Sequence, residues 1–238
     1  MMKIENGHIL DAINSLKKGK PVLIFDDKRR ESETDMVFAS SMITPESIRL
    51  LRKDAGGLIC TTMKWETAQK LHLPYLEDIY SRFLTYGKIA TDSRDMKYDS
   101  HSSFSFTINS RRTYTGIPDI DRKETVEDFV NFISHMPEED IVEKFYEIFR
   151  IPGHVHLLIA RDGYFEKRRG HTELSTYLVE KAGLTPSATI AEMLSDTGKA
   201  MTEDEAREYA ESHDLIFIEG KEIIEQWTDE KSNGIRSL

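Results

Sequence analysis

The chain has 238 residues, 39% of them hydrophobic and 31% charged, a length that can bury a sizeable core in one or two domains. Its formal charge of −10 argues against broad binding to nucleic acid or an anionic membrane, both of which call for a basic face. A lone cysteine, Cys60, excludes an intrachain disulfide and a cysteine-cluster metal site, and it fits a reducing cytoplasm.

The first segment, with Ile9, Ile13 and Leu16 at helical spacing, reads as an amphipathic helix stopped at Gly19. It lacks the apolar centre of a signal peptide, and no apolar run approaches the roughly 18 residues of a membrane helix. A soluble cytoplasmic protein is expected. "PVLIF" (21–25) and "MVFAS" (36–40) read as paired buried strands. A helix is predicted over 44–57, with Thr44 as N-cap, Pro45 at its first position and a glycine pair at its end. A strand over 58–63 and a short helix over 64–73 follow. From about Pro74 to Ser103 the periodicity fades, which predicts a long loop with one short helical piece.

Order returns at 103–109, where Phe104, Phe106 and Ile108 alternate with polar residues as in a half-buried strand. Val126, Phe129, Val130, Ile133 and Met136 share one face of a helix over 121–136. Pro152 and Gly153 read as a turn presenting His154 at the start of a strand over 154–163. Then come a helix from Thr172 to about Lys181, a strand over 188–194, a helix over 202–213, a strand over 215–220 and a last helix. Residues 229–238 read as a frayed tail. No linker-like tract and no repeat divides the chain, so residues 1–228 are expected to form one α+β domain. Its mixed sheet is covered by helices in three α-β-α layers.

Four stretches could carry chemistry. Between the first two strands, Asp26 to Asp35 holds five carboxylates and three basic side chains. Glu31, Glu33 and Asp35 alternate, so an extended backbone would converge them on one side, as a hard divalent cation requires. The same composition also fits a solvated acidic turn. In "KRRGHTELS" (167–175), Arg168, Arg169 and Gly170 lead into Thr172 as a helix N-cap, an arrangement that suits an anion of phosphate size, with His171 as a ligand or base. An ordinary capped helix fits equally. His154 at its turn and Glu192 inside an apolar strand pattern are candidate acid–base groups; a structural histidine and an outward-facing carboxylate are the plainer readings.

In combination these stretches resemble the 3,4-dihydroxy-2-butanone 4-phosphate synthase family. "DDKRRESETDMVF" follows that family's N-terminal pattern, and "PGHV", "RRGHTE", "AEMLSDTG", "GGLICTT" and "YTGIPDIDR" follow its later segments in order from about residue 7 to 226. The resemblance implies a Mg²⁺ (or Mn²⁺) site at Glu31 and His171, with Arg30 helping to hold substrate and Asp35 binding its hydroxyls and moving protons. It places Arg168 to Thr172 on the substrate, with Arg168, Gly170 and Thr172 around its phosphate. It makes His154 and Glu192 essential for catalysis, and sets Thr115 and Cys60 near the substrate, with Glu33 in the same loop.

The implied substrate is the sugar phosphate ribulose 5-phosphate, and the implied products are 3,4-dihydroxy-2-butanone 4-phosphate and formate, in riboflavin biosynthesis. A homodimer with sites completed across the interface is implied too. Another metal-dependent sugar-phosphate isomerase or lyase, or an inactive sugar-phosphate-binding relative, would share much of this pattern. Thr34, Ala191 and Thr197 depart from the family's usual glycine, cysteine and acidic residue, and none is a proposed ligand. The chain ends soon after Trp227, so a monofunctional protein without a cyclohydrolase domain is expected.

Overall fold

The computed structural model describes residues 7–83, 85, 87, 99 and 101–234. Seven strands form one mixed sheet: β1 (Val22–Phe25), β2 (Thr34–Ala39), β3 (Cys60–Met63), β4 (Phe104–Ser110), β5 (Phe149–Ile159), β6 (Ala188–Glu192) and β7 (Ile216–Glu219), in the order β4-β5-β3-β6-β2-β1-β7. β1 and β7 pair in parallel, as do β3 and β5; every other neighbouring pair is antiparallel.

Alternation along the strands explains the layers. Leu23, Met36, Phe38, Val155, Leu157 and Ala191 point to one face, beneath Ile48, Val126, Phe129 and Phe145. Their neighbours Val22, Ile24, Val37, Ala39 and Ile190 point to the other. That second face is covered by α1 (Gly7–Lys17) through Ala12 and Leu16, and by the helices His171–Lys181 and Gly220–Ser232 through Leu174, Leu178 and Ile223. Because both faces are buried, the central strands read as continuous apolar runs. The expected three-layer α+β domain is present.

Several boundaries differ from the sequence reading. β2 begins at Thr34, so Asp35 lies inside the sheet, not in the loop before it. The helix from Pro45 ends at Leu50 and continues as a wider π turn to Ala55, closed by Gly56 in the left-handed region. In β4 a register shift between Phe104 and Thr107 breaks the alternation, leaving Ser105 buried and Phe104 exposed. Pro152 and Gly153 do not form a turn before a strand. β5 starts at Phe149, and residues 151–154 bulge where Ile108 and Asn109 on β4 face Val155 and Arg150.

A helix over Ile141–Ile148, unforeseen in the sequence, seats Phe145 against Phe132 and Phe149. Thr172 is not the N-cap of its helix: Gly170 takes that place, and the Glu173 carboxylate accepts its N–H at 3.2 Å. The last helix runs on to Ser232, because Glu230 accepts from Tyr177 at 3.0 Å and from Lys181 at 2.8 Å, while Trp227 packs edge-on against Phe165. The helical piece expected between 74 and 103 is Leu76–Arg82; most of the segment beyond it lies outside the described residues.

Candidate functional site

The charged loop is organised by its first residue. Asp26 Oδ2 accepts from Arg30 Nη1 and the Glu31 N–H, and Oδ1 accepts from the Glu33 N–H, each at 3.0 Å. These bonds curl residues 26–33 over one buried carboxylate, with Ser32 at φ 58°. Glu31 thereby faces inward, 2.5 Å from Arg30 Nη1 and 3.4 Å from His171 Nδ1. Asp35 arrives from the adjoining strand, its Oδ1 3.5 Å from the same nitrogen.

Strand register supplies the rest. Asp35 is the partner of Glu192 across β2 and β6, and Cys60 is the partner of Ile190 across β3 and β6. Three neighbouring strands therefore present these side chains on the face covered by the helix His171–Lys181. Glu192 Oε2 accepts the Leu58 N–H at 2.7 Å. Gly57 makes that approach possible: a Cβ there would lie 2.2 Å from Glu192 Oε2 and 2.6 Å from its backbone nitrogen.

A cavity of about 200 Å³ results, and Glu31, Glu33, Asp35, Cys60, Arg168, His171, Thr172 and Glu192 all line it. Arg30 and Arg169 line a second, outer cavity of about 580 Å³ that shares Arg168. Gly170 lies beneath both arginines: a Cβ on it would meet Arg168 Nη1 at 2.3 Å and Arg30 Nη2 at 2.6 Å. His154 and Thr115 line neither cavity. They meet around Asn109, which accepts the His154 N–H at 2.8 Å and donates to the Thr115 carbonyl at 3.2 Å; both residues are exposed.

The electrostatics are those of a compact anionic cluster around one imidazole. Burial disfavours the charged form of Glu31, yet the His171 hydrogen bond and Arg30 hold it down at about 2. Burial and the nearby carboxylates Glu192, Glu31 and Glu33 push Asp35 up to about 7 against the pull of His171. Burial also works against a charged His171, but Asp35, Glu31 and Asp26 raise it to about 9. Cys60 is pushed well up by burial, which makes it a neutral wall. Asp26, Glu31 and His171 can each bring one ligand atom within 4.8 Å of the others. His171 Nε2 and Asp35 Oδ1 are buried without a hydrogen-bond partner among the described residues, as suits groups that await a cation or a polar ligand.

Sequence reasoning did not single out Asp26, Asn109 or Glu173. Glu173 is fully buried; its carboxylate accepts from Arg168 Nη1 at 2.8 Å, the Gly170 N–H at 3.2 Å and the Arg161 N–H at 3.0 Å. Its place three residues after a glycine at a helix start was the available signal.

The family model described as 3,4-dihydroxy-2-butanone 4-phosphate synthase matches residues 10–226. The protein of that name from Methanothermobacter thermautotrophicus is 44% identical, over 94% of this chain and 97% of its own length. The one from Archaeoglobus fulgidus is 40% identical, over 91% and 92%. A solved structure of a 3,4-dihydroxy-2-butanone 4-phosphate synthase in complex with two magnesium ions superimposes with a TM-score of 0.74 at 26% identity, over 97% of this chain and 99% of that one. With its cluster of charged residues set on the same fold, the chain belongs to the 3,4-dihydroxy-2-butanone 4-phosphate synthase family.

Proposed function

We propose that the protein is a metal-dependent lyase that converts D-ribulose 5-phosphate to L-3,4-dihydroxy-2-butanone 4-phosphate and formate, a step of riboflavin biosynthesis. The observation that carries this is the joining, in one cavity, of a carboxylate–imidazole cluster with an arginine at a helix N-terminus. The cluster suits the polyhydroxylated end of the sugar, and the helix end suits its phosphate.

Glu31 and His171 are the side chains that would hold a divalent cation, Mg²⁺ or Mn²⁺. Asp26 is less available, since its oxygens already receive three N–H groups. The cation would polarise the substrate carbonyl and stabilise the charge left when the neighbouring C–H is deprotonated. Arg30, Arg168, Gly170 and Thr172 bind and hold still the phosphate end, so remote binding energy serves orientation, with Arg169 on the outer side. Asp35, raised to about 7 by burial and its carboxylate neighbours, binds substrate hydroxyls and moves protons between neighbouring carbons. Glu192, fixed by the Leu58 N–H, is the second acid–base group, and Glu33 adds negative charge beside it. Cys60 closes the wall with a neutral thiol. The excised carbon leaves as formate.

His154 and Thr115 would then serve the site of a second copy, in a homodimer. Tyr114, Ile117 and Ile120 beside Thr115 are exposed apolar side chains, with Tyr114 94% exposed, as befits a surface that another subunit covers. Among the described residues no helix is long and apolar enough to cross a membrane. Residues 1–228 would make up the catalytic domain, in the cytoplasm.

The purified protein given ribulose 5-phosphate and Mg²⁺ should release formate, and EDTA should stop it. Substrate loss without formate would favour an isomerase instead. Co-expressed His154→Ala and Glu192→Gln chains test the shared site. Each variant alone should be inactive, while random pairing in a two-fold dimer restores about one quarter of wild-type activity. A mixture as inactive as its parts would refute the sharing.

A further inference from the structure

Arg30 and Arg168, the two guanidiniums assigned to the substrate phosphate, converge on one carboxylate of the protein itself. Asp99 Oδ2 lies 2.9 Å from Arg30 Nη2 and 2.6 Å from Arg168 Nε. Asp99 and Arg168 are the residues common to both cavities, so this ion pair is the partition between the inner 200 Å³ space and the outer 580 Å³ basin. The outer basin is rimmed by Arg29, Lys167, Arg169 and Lys221, with Asp27, Glu166 and Glu225 among them.

Each arginine also has a partner that is fixed, Asp26 for Arg30 and Glu173 for Arg168, while Glu31 pairs with Arg30 at 2.5 Å. Asp26 and Glu173 are fully buried carboxylates, each tied to backbone N–H groups as well as to its arginine. Asp99 has no such anchorage among the hydrogen bonds of the described residues, and its side chain keeps 12% exposure. It also satisfies the pair imperfectly. Arg168 Nε is buried and forms no hydrogen bond among the described residues, although Asp99 lies at ion-pair distance. A tetrahedral phosphate has three terminal oxygens and up to two charges, so it can neutralise both guanidiniums and reach the Nε–H that a single carboxylate oxygen meets at the wrong angle.

We infer that Asp99 is a specificity-determining residue, a built-in competitor whose carboxylate occupies the phosphate position and yields it only to a ligand bearing a phosphate dianion. This rests on the reading of Arg30 and Arg168 as the phosphate cradle. One consequence follows from charge alone. A weakly charged or neutral sugar meets a cradle already neutralised, whereas a dianion gains from both arginines when the carboxylate withdraws, so discrimination exceeds what the arginines alone would give.

Inorganic phosphate is the probe, titrated calorimetrically into the full-length, Mg²⁺-saturated protein. Asp99→Asn keeps the shape and removes the charge, so phosphate should bind roughly five- to tenfold tighter, and KM for ribulose 5-phosphate should fall in the same sense. Asp99→Ala serves as a second variant, expected to behave alike, with thermal melting to verify that each folds. Arg168→Ala is the control and should weaken phosphate binding by tenfold or more. Phosphate binding unchanged or weakened in both Asp99 variants, with Arg168→Ala still defective, would overturn the competitor role while leaving the cradle standing. An Arg168→Ala protein that binds phosphate normally would remove the cradle and the inference with it.

Discussion

Replacing Glu31 by Gln should abolish turnover, lowering kcat by about a thousandfold or more while the melting temperature stays within a few degrees. The amide keeps the shape but offers the cation a neutral oxygen, so the several kcal/mol of charge stabilisation supplied by a bound cation is forfeited. His171→Ala should do the same. Steady-state formate release with Mg²⁺ titrated to saturation is the measurement, because a variant rescued by high Mg²⁺ has lost affinity, not chemistry. Retention of even a tenth of wild-type kcat would remove Glu31 from the metal site.

The same cluster fixes a pH dependence. His171, raised to about 9 from 6.5, must shed its proton before its nitrogen can bind a cation. Cation affinity should therefore climb by up to about tenfold per pH unit through the neutral range and level off above about 9. In the metal-free protein the sign for folding is opposite. The His171 contribution is fully present below 6.5 and lost as pH rises through 9. That of Glu31, lowered from 4.5, is present above 4.5 and lost as pH falls towards 2.

Asp26→Ala should destabilise the fold by about 3 kcal/mol, as loss of one member of a buried charge pair does. Arg30 keeps Glu31 and Asp99, yet two backbone N–H groups lose their acceptor, and the segment that aims Glu31 loses its pivot. At this chain length such a loss corresponds to a fall of about 6–12 °C in Tm. Chemical denaturation of the metal-free protein reads it directly. Because the loop aims Glu31, the cation affinity of whatever remains folded should drop too. A variant with unchanged stability would show that Arg30 and the turn hold the loop without Asp26.

The sheet and most helices were legible because their apolar residues keep period and their ends carry caps, as at Thr44 and Thr202. Boundaries failed where function intrudes. Thr34 and Asp35 are polar residues in a strand, so an apolar pattern begins two residues too late; the burial of Asp35 makes sense only beside His171, which lies far along the chain. Pro152 and Gly153 carry the composition of a turn, and nothing local reveals that they form a bulge against Asn109. The charged loop, the helix N-terminus and Glu192 could be named from their types, yet their meeting in one cavity could not. That meeting depends on the register Asp35↔Glu192, a long-range property. Asp99 sits in a stretch without periodicity, and only its distance from two arginines singles it out.

The central position of β6, between β3 and β2, bears on how the protein is made. Glu192, Asp35 and Cys60 become neighbours only after β6, contributed by the last quarter of the chain, has inserted between two strands from its first half. Such non-local closure is the slow part of folding. A nascent chain still lacking β6 can hold the loop and helix α1, but it has no floor for the cavity and no Glu192 beside Asp35. Ligand capture thus becomes a reporter of completed folding: the substrate can be gripped only by molecules that have already passed the rate-limiting search.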